Sequence, residues 1–315
     1  MKYRNLGRSG LKVSEISLGS WLTYGKSVEE NVASKIIHRA FELGINFFDS
    51  ANVYENGRGE VVMANALKSF PREQYIITTK AFWPMGDGPN DKGLSRKHIF
   101  EQVHASLRRM NLDYIDIFYC HRYDAETPVE ETLRTIDDLL RQGKILYVGV
   151  SEWTARQIEE AISVADKYLL DKIVVNQPQY NLFHRVIEEE IIPVSNKHGI
   201  SQVVFSPLAQ GVLTGKYNKG EMPKDSRASK ESINMYIKNY LTQEKLNKVG
   251  ALSEIAAQNN LSLSQLALAW VLSQPNVASA IIGSSKLEQL EENVKASSIV
   301  LSEDTLVKVE NIISN

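Results

Sequence analysis

The sequence predicts an α/β protein, a (β/α)8 barrel, and three observations carry that prediction. Eight short apolar runs alternate with stretches of helical spacing along 315 residues. Such alternation argues a parallel sheet, because parallel strands buried on both faces read as continuous apolar runs. The first run is followed by Gly19-Ser20-Trp21-Leu22-Thr23-Tyr24, which lacks the Gly-rich turn that an open dinucleotide-binding sheet usually carries there. One barrel domain also accommodates a chain of this length, so residues 1–315 are read as a single domain.

Each element has its own signal. Residues 3–13 (YRNLGRSGLKV) read as a hairpin with a Gly/Ser turn at the barrel bottom. The predicted strands are Glu15–Leu18, Asn46–Phe48, Tyr75–Thr79, Ile115–Tyr119, Tyr147–Val150, Ile173–Asn176, Gln202–Phe205 and Ala278–Ile282. Helix starts are marked by a Ser or Thr followed three residues later by Glu or Gln, whose side chains cap each other's orphan N–H groups. These are Ser27…Glu30, Thr127…Glu130 with Pro128 at the first helical position, Thr154…Gln157, Ser262…Gln265 and Ser285…Glu288. Gly44 and Gly143 stand just past two helix ends. Residues 207–241 form a long polar loop after the seventh strand, and loops that long are usually functional or mobile. Leu301–Ile313 is an extra C-terminal helix with Leu306, Val309, Ile312 and Ile313 on one face.

Composition narrows the function. Lys+Arg number 36 against 38 Asp+Glu, a net charge of −2, so no global field attracts nucleic acid or anionic lipid. The single cysteine, Cys120, excludes an internal disulfide and a cysteine-based zinc site and fits a reducing compartment. The start of the chain has no apolar signal core, and no apolar run is long enough to span a bilayer. The expectation is a cytoplasmic protein without membrane insertion.

In a barrel the site is built at the C-terminal ends of the strands. Reading just past each predicted strand gives Ser20-Trp21, Asp49, Lys80, His121, Ser151-Glu152, Gln177, Ser206 and Gly283-Ser284-Ser285, with Tyr54 in the loop after Asp49. Asp49, Tyr54, Lys80 and His121 thus share one rim. A nearby ammonium is expected to lower the pKa of Tyr54 and make it a proton donor. Asp49 would hold Lys80 charged, and His121 would donate to a carbonyl oxygen. Such a set protonates an alkoxide as it forms, so the missing partner is a hydride donor. With no flavin or metal ligand set in view, a nicotinamide is expected. Lys80 also suits a Schiff-base aldolase. Loops after strands seven and eight often hold a phosphate. Here they offer Ser206-Pro207-Leu208-Ala209-Gln210-Gly211, Lys216 and Gly283-Ser284-Ser285-Lys286. Trp21, Phe82, Trp83 and Trp153 suggest an aromatic mouth, and residues 84–94 a substrate loop.

At these residues the chain resembles the aldo-keto reductases. The stretches are Phe48-Asp49-Ser50-Ala51-Asn52-Val53-Tyr54, Thr79-Lys80, Cys120-His121, Gly149-Val150-Ser151, Asn176-Gln177 and Ile282-Gly283-Ser284-Ser285. Within that family Tyr3–Ser14, Phe205–Ala209, Gly215-Lys216-Tyr217 and Gln289–Asn293 resemble the voltage-gated potassium channel β-subunit branch. The resemblance implies a TIM barrel binding NADP(H) along its rim and reducing a small aldehyde or ketone, with Tyr54 as general acid. By position Ser151 and Gln177 would hold the carboxamide. Ser20 would belong to the cofactor site, and Trp21 would flank the nicotinamide or the substrate. Ser206, Pro207, Leu208, Gly211 and Lys216 would line the pyrophosphate. Arg227, Gly283, Ser285 and Gln289 would sit near the adenosine phosphate, and Glu292 and Asn293 near adenine. His121 completes the catalytic set where mammalian channel subunits carry Asn, and Gln210 stands where they carry Cys. Glu152 replaces a basic residue of those subunits. The resemblance also implies a second possibility, a redox-sensing subunit with little turnover and a membrane partner. Tetramers on that branch and monomers elsewhere leave a homo-oligomer open.

Overall fold

The computed structural model describes residues 1–21, 24–25, 28–218 and 236–314. An antiparallel hairpin, β1 (Tyr3–Asn5) and β2 (Lys12–Ser14), precedes eight strands. These are β3 (Ile16–Gly19), β4 (Phe47–Asp49), β5 (Ile76–Ala81), β6 (Ile115–Cys120), β7 (Ile145–Ser151), β8 (Val175–Gln177), β9 (Ser201–Val204) and β10 (Val277–Ile282). They close into a barrel in chain order, every neighbouring pair parallel, with β10 beside β3. Each predicted strand is present, shifted by at most two residues at either end.

Side chains alternate along a strand, so residues two apart share a face. Phe47, Ile76, Ile117, Val175 and Val203 point into the barrel and pack with Leu6 and Val13 of the hairpin, which plugs the N-terminal end. Two positions on from these inward residues stand Asp49, Thr78, Tyr119 and Gln177, and four positions on stand Lys80 and His121. The interior therefore grades from hydrocarbon at the bottom to charge at the top. The opposite faces pack outward against helices in a separate apolar layer.

The helices are α1 (Glu30–Glu42), α2 (Arg58–Leu67), α3 (Arg96–Met110), α4 (Val129–Arg141), α5 (Ala155–Tyr168), α6 (Ile191–His198), α7 (Gln243–Gln258), α8 (Leu263–Ser273), α9 (Leu287–Val294) and α10 (Glu303–Ser314). Reciprocal caps form at Thr154/Gln157 and Ser262/Gln265, as their spacing predicts. Two other predicted boxes, Thr127…Glu130 and Ser285…Glu288, do not form. Ser27 lies outside the described residues, and α1 starts beyond Glu29, which caps nothing. The Thr127 hydroxyl donates to Asp124 Oδ2 at 2.7 Å, so Pro128 precedes the first turn of α4 instead of sitting in it. Ser285 is drawn to the Gln289 amide oxygen at 3.2–3.3 Å, leaving Lys286 before α9. Helix α8 is buried nearly all round, which requires cover on its outer side. Helix α7 packs on α8 and also on the predicted C-terminal helix α10. Among the described residues no helix is long and apolar enough to cross a membrane.

Gly149 of β7 lets one large ring into the barrel. A Cβ there would stand 2.5 and 2.6 Å from the Tyr119 ring and 2.6 Å from Val175 Cγ1. The Gly149→Ala protein is expected to lose about 1–3 kcal/mol, the usual cost of overpacking a tight core, read as a lower midpoint in urea unfolding.

Candidate active site

The upper ends of the strands bring the predicted residues together. Parallel pairing sets Asp49 beside Gly19 on one side and Thr78 on the other, Lys80 beside Tyr119, and Ser151 beside Gln177. The loop after β4 is tied down by its backbone. Ser20 N donates to Asp49 O at 3.0 Å, Asn52 N to Lys80 O at 3.2 Å, and Tyr54 N to Ala51 O at 3.1 Å. That loop ends in a single 3-10 turn, Tyr54–Gly57, in which Glu55 and Asn56 are left-handed.

Lys80 is fully buried. Its Nζ donates to Asp49 Oδ2 and to Ser50 O, both at 2.7 Å. Asp49 Oδ1 also accepts from Thr78 Oγ1 at 2.8 Å and Gln177 Nε2 at 2.9 Å. Burying a polar group this deep costs free energy unless it is hydrogen-bonded. The Lys80 Nζ lies 5.1 Å from the Tyr54 ring centroid and 5.6 Å from that of Tyr119. The ring of Tyr54 meets that of His121 edge-on, with centroids 5.9 Å apart.

Charge tuning differs from the sequence expectation at one residue. The Tyr54 phenol is held well above its ordinary pKa of 10, not below it, chiefly by burial and then by the Asp49 carboxylate, with Arg122 pulling the other way. The physical reason is burial of the phenol, and the Lys80 ammonium expected to offset it is paired with Asp49 at contact distance. Burial also lowers the pKa of Lys80, against the pull of Asp49. Burial, Lys80 and Arg122 together push His121 well below 6.5, so its imidazole is neutral at pH 7. Tyr54 is thus a phenol and His121 a neutral ring across the physiological range.

A cleft of about 1380 Å³ runs over this cluster. Ser20, Trp21, Asp49, Tyr54, His121, Ser151 and Gln177 line one arm. Ser206, Pro207, Leu208, Gly211, Lys216, Gly283, Ser285, Gln289, Glu292 and Asn293 line the other. Lys80 lies beneath the floor, where a Schiff-base lysine would have to be open and uncommitted; its burial and its two hydrogen bonds count against the aldolase chemistry. Arg227 lies outside the described residues.

The far arm fits an extended phosphate-bearing ligand. The backbone at Ser206, Ala209, Gln210 and Gly211 is left-handed, and successive turns of this kind form concave nests that favour anions. At Gly211 the φ of +95° and the approach of Lys216 Nζ, 3.1 Å from an added Cβ, leave a hollow that a side chain would fill. Lys286 and Lys245 line the same cleft.

Some expectations need correction. Trp153 is buried against Tyr123 and does not line the cleft, nor does Phe82; Trp83 does. Residues 84–94 also stay away from it. Their loop folds on itself through Gly88 N to Asp91 Oδ2 at 2.8 Å and Gly93 N to Phe82 O at 2.7 Å. Glu152 accepts from Gln179 N at 2.6 Å, which explains its place at the rim. Sequence reading missed Arg122, Gln179, Phe183, Tyr236 and Tyr240, all on the cleft wall. Arg122 stands one residue beyond the strand-end His121, whereas Tyr240 carries no local signal.

The fold and its rim define a β/α barrel with a small-molecule cleft at the C-terminal end. The chain belongs to the aldo/keto reductase family, whose family model matches residues 15–314. It is 46% identical over 320 residues to a probable voltage-gated potassium channel subunit beta of Arabidopsis thaliana, covering 100% of this chain and 97% of the relative. The corresponding protein of Oryza sativa subsp. japonica is 45% identical with the same coverage. A putative voltage-gated potassium channel subunit beta of Schizosaccharomyces pombe is 44% identical, covering 99% of this chain and 93% of the relative.

Proposed function

We propose that this protein is an NADPH-dependent carbonyl reductase acting on small aldehydes or ketones. The observation that carries the reading is Tyr54 standing over the buried Lys80–Asp49 pair, beside a neutral His121, at the mouth of the cleft. When bound, the reduced nicotinamide supplies a hydride to the carbonyl carbon. His121 donates a hydrogen bond to the carbonyl oxygen, and Tyr54 gives up its proton as that oxygen becomes an alkoxide. The transfer is downhill even with the Tyr54 pKa raised, because an alkoxide is far more basic than a phenolate. Lys80 keeps positive charge under the phenolate that results, until solvent returns the proton. Asp49 holds Lys80 in place. Ser151 and Gln177 hold the carboxamide, with Ser20 and Trp21 beside the ring. Ser206, Pro207, Leu208, Gly211 and Lys216 bind the pyrophosphate. Gly283, Ser285 and Gln289 would face the adenosine phosphate, and Glu292 and Asn293 the adenine; Arg227, outside the described residues, is proposed for the phosphate on the resemblance alone.

The deciding experiment follows reduced-nicotinamide absorbance with purified protein, NADPH and an aromatic aldehyde. Steady aldehyde-dependent loss supports the reading; none over a broad carbonyl panel overturns it. The names of the relatives favour a second reading, a redox-sensing NADP(H)-binding regulatory subunit. Its mark is NADPH retained tightly with negligible turnover.

The charge states above predict the pH dependence. Because His121 protonates well below 6.5, kcat/KM should show no acid limb near 6.5. Because Tyr54 stays protonated beyond 10, no alkaline limb from its ionisation should appear between pH 7 and 9. A rate profile from pH 6 to 9 tests both; an inflection that disappears in His121→Asn would overturn the assignment of a neutral imidazole.

A further inference from the structure

Arg122 is left without a task by the reductase reading. It follows His121 directly, is half-buried, and lines the cleft together with Tyr54 and His121. Its Nη1 donates to His121 O at 2.6 Å and reaches Ser151 Oγ at 3.5 Å. Its Cζ lies 5.6 Å from the Trp83 ring centroid, and that ring stands edge-on to His121 at 6.4 Å. Backbone and aromatic ring thus fix the guanidinium against the wall of the reacting end. Among the described residues no carboxylate forms an ion pair with it, although Glu55 and Glu152 line the same cleft. Its Nε and Nη2 hydrogens make no hydrogen bond there either.

A guanidinium is a planar fork that matches a carboxylate with two parallel bonds. Held by one edge and with no counter-ion among the described residues, it presents the remaining donors to whatever occupies the cleft. We propose that Arg122, backed by Trp83, forms an anion subsite, and that the preferred substrates are carbonyl compounds carrying a carboxylate a few bonds from the reacting carbon. This deepens the reductase reading and rests on it. The positive charge is felt by Tyr54, Lys80 and His121 alike, which places it within electrostatic reach of the reacting atoms.

The test compares 4-formylbenzoate with its neutral methyl ester, using NADPH and wild-type, Arg122→Gln and Arg122→Lys proteins. Wild type should favour the acid in kcat/KM. In Arg122→Gln the acid-to-ester ratio should fall about 10–100-fold, the range of one charge-assisted hydrogen bond, mainly through KM for the acid. Arg122→Lys should restore part of the ratio. Equal losses on acid and ester, or no acid preference in wild type, overturn the proposal and make Arg122 a support for His121 and Ser151. Benzoate binding to the NADP-loaded protein, read by tryptophan fluorescence, separates the two readings. If no aldehyde is reduced, the reductase reading fails, yet benzoate binding lost in Arg122→Gln still supports the subsite. Equal benzoate binding in both proteins overturns it.

Discussion

The Tyr54→Phe protein is expected to reduce aldehydes about 10²–10⁴-fold more slowly, the usual contribution of a positioned general acid, with NADPH affinity near that of wild type. The substitution removes one oxygen and leaves the ring against His121. The Tyr54 hydroxyl donates no hydrogen bond among the described residues, so its loss strands no partner there. Fold and cofactor binding should survive while proton transfer does not. NADPH titration by fluorescence and steady-state kinetics on one preparation check both halves. Turnover within a few-fold of wild type would remove Tyr54 from the proposed chemistry. Loss of NADPH binding would give it a structural role instead.

Lys80→Met is expected to damage activity and folding together. Lys80 and Asp49 are both buried, and their ion pair is 2.7 Å long. Removing one partner of a buried pair leaves the other uncompensated, at a cost of about 3–5 kcal/mol. Reductase activity should fall at least as far as in Tyr54→Phe, because the phenolate loses the charge beneath it. The double variant Asp49→Asn, Lys80→Met separates the two effects. It should regain much of the stability, since no lone charge remains, and none of the activity. Urea unfolding with kinetics reads this, and a single variant as stable as wild type would contradict the buried-pair account.

The barrel was legible because its determinants are local. Each strand is a short apolar run, and each helix has a periodic face and a recognisable end, so the alternation survives in one dimension. The caps were less legible. Thr154 and Ser262 meet their Gln partners, but Thr127 is claimed by Asp124, a competition that sequence spacing does not display. The site residues Asp49, Lys80 and His121 were found because a barrel places function at strand ends. Their position in each strand carries that information.

What the sequence by itself determined is the barrel, its hairpin plug, its added C-terminal helix and the rim on which Asp49, Tyr54, Lys80 and His121 stand. Hydrophobic pattern and strand order suffice for these. Tertiary structure alone decided the protonation of Tyr54 and His121. Burial and the Asp49 carboxylate raised the pKa of Tyr54, and burial with the neighbouring cations lowered that of His121, effects that depend on depth and distance in three dimensions. It also decided which aromatics face the cleft, sending Trp153 into the core and Trp83 to the wall. It left Arg122 beside the reacting end with no carboxylate partner among the described residues, because pairing depends on where side chains meet and not on their order along the chain.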